Sequence, residues 1–130
     1  DQQGQETEIL IHLPDPIYDP IYRSGEKVHY QVSLEEVIQS ACRRFKLGEE
    51  ELRRPDRGRR AAEARHRIGY IARELAGLTY GSVAQRFGRE AISFSVGVRR
   101  LAERMERDAG LKREIEDLCR EISKGKRRKY

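Results

Sequence analysis

The sequence predicts an all-α fold, a helical bundle containing a helix-turn-helix, and three observations carry that expectation. Apolar residues recur at helical spacing from Ser33 to Ser123. Glycines and capping residues fall between the periodic segments. Charged residues make up 38% of the chain and tryptophan is absent, so the core must be largely aliphatic. A chain of 130 residues holds one modest core. It divides into an extended linker or arm at 1–32, a helical body at 33–123 and a basic tail at 124–130, expected to lack structure.

The arm contains Pro14, Pro16 and Pro20, and Asp15-Pro16-Ile17-Tyr18 is repeated at once as Asp19-Pro20-Ile21-Tyr22. Proline disfavours helix in the residue before it. Two readings stand: a semi-rigid spacer, or an arm whose Ile17, Tyr18, Ile21 and Tyr22 pack on the body or on an upstream domain of the same chain. The sequence opens without methionine, as an excised fragment would.

Ser33 and Glu36 form a capping box ahead of Leu34, Val37, Ile38, Ala41, Cys42 and Phe45, which predicts a helix over 33–46. Leu47-Gly48 breaks it. A short turn over 49–52 precedes a loop at 55–58, where proline stops it. Ala61, Ala64, Ile68, Ile71, Ala72 and Leu75 make one apolar stripe of a helix over 59–76, with Gly77 as its cap and a basic opposite face. Thr79 caps a short helix carrying Val83 and Phe87 and ending at Gly88. A helix over 90–108 carries Phe94, Val98, Leu101 and Met105. Gly110 is expected to separate it from a last helix, 111–123, with Leu111, Ile115, Leu118 and Ile122 inward. Cys42 and Cys119 both fall on apolar faces without metal-ligand spacing, the pattern of two small buried hydrophobes.

Short helix, glycine turn and longer helix outline a helix-turn-helix from about Thr79 to Met105. Ala84, four residues before Gly88, leaves room for the second helix, and Gly88 supplies a backbone conformation that other residues adopt at a cost. The second helix starts with Arg89, Glu90, Ile92, Ser93 and Ser95 on its solvent face. Arginine can pair with guanine, a carboxylate can accept from cytosine, serine adapts, and an aliphatic group can meet a thymine methyl. Five of the eight residues 53–60 are arginines, including Arg57, Arg59 and Arg60. A basic loop of this kind can reach a minor groove or phosphates.

The net charge of +5 is unevenly spread: residues 1–30 hold two basic and six acidic side chains, a net −4, whereas 53–100 hold twelve basic against four acidic, a net +8. A concentrated basic surface attracts a polyanion, nucleic acid or anionic lipid. No apolar run is long enough to span a bilayer and no signal-peptide pattern occurs, so the expected location is the cytoplasm, with no membrane partner.

The residues that carry a family resemblance are the run from Val32 to Leu52, the arginine loop, Ala64-Arg65-His66-Arg67, Ile71-Ala72-Arg73-Glu74-Leu75, Val83-Ala84-Gln85-Arg86-Phe87-Gly88-Arg89, and Val98-Arg99-Arg100-Leu101. Together they resemble the C-terminal DNA-binding domain of the bacterial replication initiator DnaA, a helical bundle of the Trp-repressor-like type, over about 33–123. The resemblance implies double-stranded DNA as the partner, Arg57 in the minor groove, and Arg65, His66, Tyr80, Ser93 and Arg100 against the phosphate backbone. The family's reading helix opens glycine-glycine-arginine-aspartate-histidine-threonine-threonine. This chain has Gly88-Arg89-Glu90-Ala91-Ile92-Ser93 instead, so the docking surface is kept better than the reading head, and the initiator's usual target box is not the expected site. Similar domains form a C-terminal extension of repetitive-element-associated transposases, the expected parent, with a replication initiator as the alternative.

An enzymatic reading lacks its constellation. His12, His29 and His66 sit in different segments, and neither a nucleophile elbow nor a phosphate-binding glycine loop occurs. No cofactor, metal or small-molecule substrate is expected. A helical protein-interaction module is the main rival to DNA binding, and a membrane-surface helix the weaker one.

Overall fold

The computed structural model describes residues 28–54 and 58–129. In chain order it contains β1 (His29–Tyr30), α1 (Leu34–Phe45), α2 (Glu49–Arg53), α3 (Arg59–Ala76), α4 (Tyr80–Arg86), α5 (Ala91–Arg107), α6 (Ala109–Ser123) and β2 (Arg128–Lys129). The tandem Asp-Pro-Ile-Tyr repeat lies outside the described residues.

α3 is the central helix and touches α1, α2, α4, α5, α6 and β1. Its apolar stripe explains why: Ala64, Ile68, Ile71, Ala72 and Leu75 are buried, and glycine at position 69 lets α5 approach. The core is continuous, built from Val37, Ile38 and Ala41 of α1, Leu52 of α2, Phe94, Val98 and Leu101 of α5, and Ile115 and Leu118 of α6. Removing each such aliphatic or aromatic side chain from water contributes roughly 1.5–3 kcal/mol. Cys119 is fully buried among them, while Cys42 is half-buried and its thiol is pushed up by that burial and by Glu49 and Glu51 nearby.

The helix ends follow from local chemistry. Ser33 Oγ accepts from Glu36 N at 3.1 Å and Glu36 Oε1 accepts from Ser33 N at 2.9 Å, the reciprocal pair expected from the sequence. Gly77, at φ 72°, ends α3 in the left-handed conformation, its N–H bonding back to Arg73 O. Gly110 does not separate α5 from α6 as expected. Asp108 does, because its carboxylate caps α6 by accepting from Leu111 N at 3.0 Å, and Gly110 falls inside the first turn.

The two ends of the described chain also depart from expectation. His29–Tyr30 and Arg128–Lys129 pair antiparallel, with His29 opposite Lys129 and Tyr30 opposite Arg128. Gln31 N donates to Arg127 O at 2.8 Å, Val32 is buried in the core, and Lys126 Nζ pairs with the Glu36 carboxylate. That hydrogen bond is the first cause of the lowered Glu36 pKa. Residues 28–32 and 124–129 therefore belong to the folded body, not to a linker and a structureless tail. Two-residue strands leave no periodicity to read, and Lys126 finds its partner 90 positions away.

Candidate nucleic-acid interface

α4 and α5 form the hairpin of a helix-turn-helix. Thr79 Oγ1 accepts from Ser82 N at 3.1 Å and starts α4. α4 ends at Arg86, with Phe87 as its cap and Gly88 at φ 66°. Gly88 N then bonds to Gln85 O at 3.0 Å and Arg89 N to Ala84 O at 2.8 Å, closing the turn. Space beside Gly88 is open, so glycine is required there by its backbone angle, not by crowding. Val83, Ala84, Phe87 and Phe94 are buried in the common core, Phe94 against His66 of α3.

Glu90 holds the N-cap position of α5 without a side-chain cap bond, and Ala91, Ile92 and Ser93 are exposed at the start of the helix. Ile92 is 72% exposed, the one large hydrophobic in that condition among the described residues. Ser93 Oγ donates to Glu90 Oε1 at 2.6 Å. Ser95 is half-buried and its Oγ donates to Ala91 O at 2.9 Å. Arg89 reaches across the turn, Nη2 donating to Arg54 O, and so ties the start of the arginine loop to the helix-turn-helix.

The other cationic residues separate into two groups. Arg59 is exposed on the first turn of α3, and Arg99 and Arg100 are exposed on α5. Arg100 lines a 220 Å³ groove with His66, Arg67, Gly97 and Arg104. Arg60, by contrast, donates to Phe45 O at 2.6 Å and to Lys46 O at 3.3 Å, closing the end of α1. Arg65 is only 5% exposed and Nη1 donates to Leu52 O at 3.0 Å, holding the end of α2. This corrects the expectation that Arg65 adds to a basic face: α2 packs on α3 at that point, and the guanidinium satisfies its last carbonyls. Arg67 has a 12% exposed side chain, lies with Cζ 5.5 Å from the Phe45 ring centroid, and pairs with Glu63 at 3.6 Å and Glu114 at 3.7 Å.

His66 is half-buried and not an ordinary surface histidine. It meets Phe94 edge to face, with centroids 5.7 Å apart, and burial, then Arg65, lowers its pKa. Tyr80 opens α4 beneath Arg73, whose Cζ lies 4.7 Å from the ring centroid. Arg57 lies outside the described residues.

A profile of the bacterial dnaA protein helix-turn-helix matches residues 34–95, from the start of α1 into the first turns of α5. Over these residues the helical body is similar to that helix-turn-helix family. Chromosomal replication initiator protein DnaA from two strains of Campylobacter jejuni is 26% identical over 92 residues, which cover 70% of this chain. The chain spans about a fifth of the length of those relatives. Among the described residues no helix is long and apolar enough to cross a membrane.

Several residues that shape the helical body carry little or no local signal in the sequence. Arg86 bridges α4 to two other helices, bonding Glu35 Oε2 at 2.8 and 3.0 Å and also the Glu49 carboxylate, and these partners raise its pKa. No local spacing announces partners 37 and 51 positions away. Gly69 and Gly97 did carry a signal, since a glycine inside a helix marks a close approach. A Cβ at Gly69 would come within 2.6 Å of Phe94 Cε2, and one at Gly97 would overlap the His66 ring.

Proposed function

We propose that this domain binds double-stranded DNA, with the first turn of α5 in the major groove and the arginine loop at the adjacent minor groove. The exposed start of α5 on a rigid helix-turn-helix carries this reading, because that end of the second helix meets base edges in the motif. Ile92, Ser93 and Glu90 are then the base-proximal residues, with Ser95 one turn further along. Arg59, Tyr80, Arg89 and Arg100 flank them, and His66 sets the groove beside Arg100. The Arg89–Arg54 contact supports placing Arg57 near the same stretch of duplex, since it fixes the residue from which the loop departs. Arg59 gives further support: a cation in the first turn of a helix opposes the macrodipole, and an approaching phosphate offsets that opposition.

The parent chain, on this reading, is a larger protein that uses the domain for targeting. The replacement of polar reading residues by Ala91 and Ile92 favours a transposase-related parent over the initiator itself, and the fragment is not itself an enzyme. Selection of duplexes from a random pool tests the proposal. Arg57→Ala should weaken binding and relax preference at A·T steps, and Glu90→Gln should change the selected bases. Unchanged selection in both variants would show that these residues do not face DNA.

A further inference from the structure

Resting on the DNA-binding reading above, the geometry points to a reading helix that recognises its site mainly through the C5-methyl groups of thymine, with Ile92 as the specificity-determining residue. The polar candidates around Ile92 are already engaged inside the protein. Arg89 spends its Nη2 on Arg54 O, its Nε is buried, and the side chain is half-buried against the turn. Ser93 gives its hydroxyl proton to Glu90 at 2.6 Å, and that bond occupies one oxygen of the carboxylate. Ser95 gives its proton to Ala91 O. Ser93 and Ser95 would each have to surrender an internal hydrogen bond to donate to a base, which removes most of the gain from the new one, and Arg89 is held toward Arg54 by its contact there.

Ile92 has nothing to surrender. It projects 72% exposed from the first turn, next to Ala91, which has no polar atom in its side chain. A surface that leaves a β-branched aliphatic this exposed, on the turn that the motif inserts into the major groove, presents an apolar contact to the groove floor. Among the four bases thymine alone offers a methyl there. The gain per contact is modest, roughly fourfold in affinity for a buried methyl-sized group. The inference is therefore of shallow, thymine-counting specificity laid over strong backbone attraction.

The test uses the full chain and a duplex selected from a random pool, compared with the same duplex carrying deoxyuridine for thymine. This exchange deletes the methyl and leaves every hydrogen-bonding edge in place. The uridine duplex should bind roughly fourfold weaker per methyl contacted. Ile92→Ala, which alters an exposed side chain and should leave the melting temperature unchanged, should bind both duplexes equally. Equal binding of the two duplexes by the unmodified protein, with salt-sensitive affinity for both, would overturn methyl readout while leaving DNA binding intact. Discrimination that survives in Ile92→Ala would overturn the assignment to Ile92. No duplex binding at all would remove both readings.

Discussion

The imidazole of His66 on α3 occupies the space that a side chain at Gly97 on α5 would need. The same two helices meet again at Gly69, against Phe94 and Val98. α5 is thus seated on the central helix by two glycines facing two rings, one of them an imidazole. Gly97→Ala should cost roughly 1–3 kcal/mol, because the ring must leave a packed site. Denaturant unfolding of the variant reads this, and His66→Ala combined with it should recover part of the loss.

Burial, and then the charge of Arg65, disfavours the protonated form of His66 in the fold, so its folded pKa lies below the ordinary value of 6.5. Between the two values the unfolded chain binds the extra proton. His66 therefore contributes full stability above about pH 6.5 and loses it as pH falls toward the folded pKa. Unfolding free energies measured from pH 7.5 to 5 should fall more steeply for the unmodified protein than for His66→Gln, whose side chain does not titrate.

Arg65 and Arg100 are both arginines in a basic stretch of sequence, yet their variants should behave oppositely. Arg65→Ala removes a buried hydrogen bond to Leu52 O and should destabilise the fold by roughly 1.5–3 kcal/mol. Arg100→Ala alters an exposed side chain and should leave the unfolding midpoint within about 0.5 kcal/mol of the original. It should instead reduce duplex affinity uniformly across sequences.

Arg86 holds α4 against α1 and α2 through Glu35 and Glu49, side chains that remain partly exposed. Arg86→Met should cost about 1 kcal/mol, less in high salt. A double-mutant cycle with Glu35→Gln, run at low and high salt, measures the coupling.

The fold was largely legible because its signals are local. Ser33 with Glu36, Gly77 after Leu75, and Thr79 before Val83 each announce a helix end within four residues. The order of apolar positions gave the core face of every long helix. What escaped was decided by contacts between distant positions. Arg65 and Arg100 look alike in sequence, and only the packing of α2 on α3 turns the first inward. Asp108 outcompeted Gly110 as a helix boundary because a carboxylate cap satisfies an N–H directly. The pairing of His29–Tyr30 with Arg128–Lys129 left no trace in either two-residue segment. At the candidate interface, the helix-turn-helix frame and the exposure of Ile92 were readable. The engagement of Ser93 by Glu90 and of Arg89 by Arg54 was not.

The most direct measurement is the affinity of the full chain for a random-sequence duplex as a function of salt. If α5, Arg59 and Arg100 face DNA together with the arginine loop, several phosphates are neutralised, and affinity should fall about tenfold or more for each threefold rise in salt. An absence of duplex binding at low salt, or an affinity indifferent to salt, would contradict the account.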